Sequence, residues 1–153
     1  MAHALNLVLK LKQDPDSLKA LNDLKAAFET TIQPAIDKAL GKSEIVHFAR
    51  VLVIDDKYLL VITEYDGDHR EYTDFFRREL PEVFSALFSL AEGAPSWDHL
   101  NNENTFFNAA QSMNVKSLGR SPDDLGAGGT PAGYLFSAYR GREVKEILAS
   151  LGA

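Results

Sequence analysis

The sequence predicts an α+β fold, with a four-stranded antiparallel sheet, two helices on one of its faces and a further helix at the C-terminus. Three observations predict it. Leu5, Leu7, Leu9 and Leu11 alternate with Asn6, Val8, Lys10 and Lys12, the pattern of a strand with one buried face. Leu18, Leu21, Leu24, Phe28, Ile32, Ile36 and Leu40 recur at helical spacing and form an amphipathic stripe. Residues 45–54 and 58–65 then make a hairpin that is apolar on both faces, so both faces need cover.

The elements follow in order. Asp14-Pro15-Asp16-Ser17 ends the first strand and supplies capping side chains to the first helix. That helix is expected to end at Gly41, with a kink or restart near Thr31–Gln33 because Pro34 interrupts its hydrogen bonding. After the hairpin, Asp66-Gly67-Asp68 stops the strand, and Asp68 with Glu71 resembles a capping box. The helix it opens carries Tyr72, Phe75, Phe76, Leu80, Val83, Phe84, Leu87 and Phe88, runs to about Glu92 and is divided by Pro81. Residues 93–133 read as an insertion. Within it, Trp97-Asp98-His99 is expected to be a loop whose tryptophan plugs onto the core. Phe106, Ala110 and Met113 predict a short helix over Asn104–Lys116. Leu125-Gly126-Ala127-Gly128-Gly129-Thr130 lacks the ending of a phosphate loop, and reads as a lid or a plain linker. Gly133–Tyr139 predicts a final strand, and Val144, Ile147, Leu148 and Leu151 a C-terminal helix ending at Gly152.

Without the insertion and the last helix, this order is β-α-β-β-α-β, the ferredoxin-like arrangement, within a single domain over residues 1–153. That arrangement leaves one sheet face open, yet the hairpin is apolar there as well. A second copy of the chain is the expected cover, giving a homodimer in which two sheets enclose a barrel. The insertion is the alternative cover.

Composition narrows the function. A chain with 45% apolar and 25% charged residues is that of a globular domain, and no apolar run is long enough for a membrane helix. The opening Met-Ala-His-Ala lacks the basic and apolar regions of a signal peptide, so a cytoplasmic location is expected. The absence of cysteine excludes disulfides, thiolate metal sites and cysteine nucleophiles. With a net charge of −6 and no basic stripe, nucleic acid is not an expected partner.

Polar side chains inside the greasy hairpin are the candidates for chemistry: His47, Arg50, Glu64 and Tyr65. A two-residue Asp55-Asp56 turn would set His47 opposite Glu64. A three-residue turn would set His47 opposite Tyr65 and make Arg50 and Glu64 diagonal neighbours. In either case His47 is the candidate acid or base and Arg50 the candidate anion anchor. Asn6, Phe48, Tyr72 and Tyr139 are candidate substrate contacts, and Val8, Leu60 and Ile62 candidate cavity walls. The histidines, His3, His47, His69 and His99, fall in no zinc spacing, and no metal site is expected. His69 is expected at a helix start facing solvent.

His47-Phe48-Ala49-Arg50, Tyr65-Asp66-Gly67, Ser137-Ala138-Tyr139-Arg140-Gly141 and Val144-Lys145-Glu146-Ile147 together resemble an uncharacterised bacterial family of the dimeric α/β-barrel superfamily. The resemblance covers most of the chain outside 93–131. It implies the barrel fold and a homodimer, in a superfamily of small monooxygenases, muconolactone-isomerase-like enzymes, dye-decolourising peroxidases and chlorite dismutases. The Gly-x-x-Asp-Gly signature of the haem peroxidases has no match here. The resemblance therefore implies a cofactor-free oxygenase or isomerase acting on a small apolar or aromatic molecule. A non-catalytic dimeric binding module and a haem protein ligated through His47 or His69 are the alternatives.

Overall fold

A computed structural model describes residues 2–120, 133–139 and 141–152. The glycine-rich Leu125–Thr130 run and Arg140 lie outside the described residues. β1 (Ala2–Lys10), β2 (Val46–Ile54) and β3 (Tyr58–Asp66) form a three-stranded antiparallel sheet in the order β1-β3-β2. The central strand, β3, is paired on both sides. The outer edge of β2 pairs with no described strand.

Strand alternation sorts the side chains as the leucine pattern predicts. Leu5, Leu7 and Leu9 stand opposite Thr63, Val61 and Leu59, and all six are buried on one face. Ala4, Asn6 and Val8 of β1, Leu60, Ile62 and Glu64 of β3, and Phe48, Arg50 and Leu52 of β2 share the other face. That face is the less covered one. Phe48 is 65% exposed, and Ile54 and Tyr58 at the hairpin end are also exposed.

Between β1 and β2 one helical run crosses as α1 (Pro15–Ala27), a π-helical turn (Phe28–Ile32) and α2 (Gln33–Ser43). Asp14 caps it by accepting from the Ser17 N–H at 3.0 Å, and hydrogen bonding from the Ser17 side chain, then from its N–H, holds the Asp14 carboxyl below its ordinary pKa. The π turn is the structural answer to Pro34. Gln33 donates to the Phe28 carbonyl, so the chain widens just before a residue that has no N–H to give. The kink predicted near Thr31–Gln33 takes this form. The helix was expected to end at Gly41 but does not: α2 continues to Ser43, after which Glu44 adopts a left-handed φ of 51°.

After β3 come α3 (His69–Glu79) and α4 (Pro81–Ser89), divided at Pro81 as predicted, with α4 ending at Ser89 and short of Glu92. Asp68 caps α3 by accepting from the Glu71 N–H at 3.0 Å. The insertion adds α5 (Trp97–Leu100), a single turn where a loop was expected, and α6 (Glu103–Met113). Both join the helical layer. Phe106 packs edge-on against Phe84 and Phe88 at 5.7 and 5.6 Å between ring centroids, and Trp97 stands edge-on to Phe106 at 6.0 Å. The insertion thus lies on the face already covered by helices.

The predicted final strand is absent: residues 133–139 have no strand structure. Extended pairing along the outer edge of β1 comes instead from residues 114–117. Asn114 bridges Leu7 in antiparallel fashion, the Val115 N–H donates to the Asn6 carbonyl at 2.8 Å, and the Asn6 side-chain amide donates to Val115 O and Ser117 Oγ. The chain closes with α7 (Val144–Ser150).

Two substitutions test this reading of the core. Leu59→Ala removes a fully buried side chain beneath the helices and should cost about 3 kcal/mol in urea unfolding. Asp68→Ala removes only the α3 cap and should cost about 1 kcal/mol. Comparable losses for the two would mean that the sheet–helix interface is not the main source of stability.

Candidate functional site

The site begins with a turn. Asp55 and Asp56 both adopt positive φ, 54° and 53°, which Asp tolerates better than most residues, and Ile54 pairs with Tyr58. This is the three-residue register, and Arg50 and Glu64 are diagonal neighbours as it requires. The register then slips: Phe48 faces Glu64 but Val46 faces Tyr65, so His47 is the extra residue of a β-bulge. His47 therefore stands opposite neither Glu64 nor Tyr65. The bulge turns its side chain towards the end of β3, where Nε2 lies 2.9 Å from Asp66 Oδ1.

Both partners are well covered, with side-chain exposures of 10% for His47 and 5% for Asp66. Asp66 uses its other oxygen, Oδ2, to accept the Val144 N–H at 2.8 Å, which ties the start of α7 to the sheet. An ionised Asp66 can only accept, so it places a proton on His47 Nε2 and leaves the lone pair of the neutral ring on Nδ1. Nδ1 has no bonding partner among the described residues and is not a buried unsatisfied atom, so it meets solvent. This gives a histidine oriented by a carboxylate, with its basic nitrogen outward.

His47 lines a cleft of about 240 Å³ whose floor is Ala2, Phe48, Arg50 and Glu64 and whose opposite wall is the 135–139 segment. Tyr139 belongs to that wall, as does Phe136, which is 87% exposed. Burial raises the Glu64 carboxyl above its ordinary range, and the charges of Arg50 and His47 partly offset this. Arg50 is exposed and forms no ion pair with a described residue. Of the residues singled out from sequence, His47, Phe48, Arg50, Glu64 and Tyr139 thus meet in one place.

The other three do not reach it. Asn6 is engaged with residues 114–117, as described above. Tyr65 and Tyr72 are fully buried under the helices, stacked at 4.1 Å between centroids. The Tyr72 hydroxyl is bonded to Thr63 Oγ1, and burial pushes its pKa above the ordinary tyrosine value. Asp66, noticed in the sequence only as the end of a strand, is the residue that reading missed. An acid two positions before a helix cap carries no sign that a bulge will bring a histidine to it.

His69 is the second correction. It was expected to face solvent, but it is buried at the first turn of α3, bonded through Nδ1 to the Tyr65 hydroxyl and through Nε2 to the Gln111 amide. Burial is the main force that depresses its pKa from 6.5 to about 4, Asp68 raising it and His3 lowering it further. With both nitrogens held, His69 has none to offer a haem iron, and the one outward imidazole nitrogen of the two candidates is Nδ1 of His47. Among the described residues no three His, Asp or Glu side chains group to hold a metal ion, and no helix is long and apolar enough to cross a membrane.

No protein-family model, curated protein or solved structure matches the chain. What fold and site define is a mixed α+β protein in which a histidine–aspartate pair sits beside an arginine and a glutamate in an aromatic-lined cleft.

His69 makes stability depend on pH. Between pH 4 and 6.5 the unfolded histidine holds a proton that the folded one lacks, so stability rises with pH across this window and is fully present above 6.5. The gain should be on the order of 3 kcal/mol. Unfolding free energies measured at pH 4.5 and 7 should diverge for the native chain, and this part of the difference should vanish in His69→Gln. An unchanged difference in that variant would assign the pH dependence to other groups.

Proposed function

We propose that the protein is a small-molecule enzyme of the dimeric α/β-barrel type, working on a compact aromatic or apolar substrate that carries an anionic group. His47 is the acid–base group, oriented by Asp66. Arg50 anchors the anion, Glu64 is a second proton-carrying group, and Phe48 and Tyr139 embrace the apolar body. The observation that carries this reading is the His47–Asp66 pair at the edge of the cleft, with the basic nitrogen outward and a carboxylate behind it.

The fold half of the proposal is a ferredoxin-like domain. The β1-β3-β2 order is that of its first three strands, and residues 114–117 pair antiparallel to β1 where its fourth strand would lie. The partly uncovered apolar sheet face supports a homodimer, the two sheets facing each other. Cofactor-free oxygenation or isomerisation is the chemistry suited to one acid–base histidine and an anion anchor.

A second reading keeps the dimer and drops the chemistry. The exposure of Phe48 and Phe136 favours it, because both are also what a ligand-binding or interaction surface would present.

One measurement tests the dimer that both readings share, and a second separates the readings. Light scattering after size exclusion should give twice the 16.9 kDa of one chain, and a 16.9 kDa species at micromolar concentration would remove the barrel. Against a panel of aromatic carboxylates and phenolates, Arg50→Ala should weaken binding about tenfold, roughly 1.4 kcal/mol. His47→Ala should leave binding in place and reduce turnover at least 100-fold. Binding without turnover by the native chain would favour the module.

A further inference from the structure

A second cavity lies on the other side of the sheet and includes none of the His47 pair. The run from Pro15 to Ser43 has only two buried residues, Leu21 and Ala39, which lie near its two ends. Between them Phe28 and Ile36 are only half-buried. The middle of this helix therefore stands off the sheet, at and just after the π turn that Pro34 imposes. A space of about 150 Å³ remains between Phe28, Ile36 and Leu40 on the helix and Val51, Val61 and Leu87 beneath. The space opens to solvent on one side, and its volume and apolar lining accept a body the size of a single aromatic ring. Its polar contacts are at the rim. Gln33 and Asp37 are exposed on the helix, and Asp37 has no ion-pair partner among the described residues. Arg50 also borders the cavity, but β2 alternation assigns its side chain to the opposite sheet face, with Phe48 and Glu64.

We propose that this cavity is a separate binding site for a small amine with a single aromatic ring or a branched alkyl body, the body between α2 and the sheet and the ammonium at Asp37. The lining selects an apolar body, its volume limits that body to about one ring, and the uncompensated carboxylate at the rim selects a cation. Filling the space would join the helix to the sheet, so the ligand should also stabilise the fold.

The test is a titration of the full chain with 2-phenylethylamine, followed through the methyl resonances of Val51, Val61 and Leu87. These should shift together, and the melting temperature should rise. Val83→Trp and Ile36→Trp fill the cavity from opposite walls and should each weaken binding at least tenfold, while melting cooperatively. Asp37→Asn should weaken it about threefold, and His47→Ala should leave it unchanged. Phenylacetate bound as tightly as the amine would overturn the assignment of the charged end. Loss of binding in His47→Ala, or shifts confined to residues around Phe48 and Leu135, would place the ligand in the other cleft and overturn the site. Absence of methyl shifts at millimolar amine would do the same, whatever the tryptophan variants show, and leaves the His47 reading untouched.

Discussion

Everything in this structure is referred to β3. As the central strand it has a neighbour on each side, and its alternation decides two surfaces at once. Leu59, Val61, Thr63 and Tyr65 face the helices, while Leu60, Ile62 and Glu64 face away. A slip of one residue would exchange these sets and bury Glu64 among phenylalanines, at a cost of several kcal/mol for an unpaired carboxylate. The aromatic core of Phe76, Phe84, Phe88 and Phe106 needs the apolar set below it. The cleft needs the other set. One register therefore serves both stability and the site.

Asp66 ends that strand and extends its influence. Its carboxylate holds His47 in one orientation and the first N–H of α7 in another, so a bulge in β2 and a helix from the C-terminus converge on one residue. The 135–139 wall of the cleft runs into the segment that Asp66 secures. A buried carboxylate is costly unless each oxygen has a donor, and here each has one. Such an arrangement tolerates little replacement: Asn keeps the size but alters what His47 is offered.

Much of the fold was legible because local signals and tertiary needs agreed. The leucines of β1, the cap at Asp14, the interruption at Pro34 and the division at Pro81 each act within a turn or two of the chain, and each appears where expected. The failures share a cause, which is dependence on distant partners. Gly133–Tyr139 has strand-like composition, but the β1 edge is occupied by residues 114–117 through the side-chain and backbone bonds of Asn6 and Asn114. His69 looked like a surface residue at a helix start, and only Tyr65 and Gln111, from a strand and from α6, make its burial tolerable. For the candidate site, the polar residues of the hairpin were visible as costly exceptions in an apolar sequence. Their partners were not, since a bulge leaves no compositional trace.

The outer edge of β2, which pairs with no described strand, has a consequence for solubility. Nine residues, apolar apart from His47 and Arg50 and without proline, present unpaired backbone groups, which is the template on which chains add to one another as continuous sheet. Arg50 is the middle residue of that strand. In-register antiparallel addition of a second β2 would bring the two guanidinium groups face to face, and the His47 bulge would spoil the ladder at either end. The same residue that borders the cleft thus opposes edge-to-edge addition of further copies of the chain.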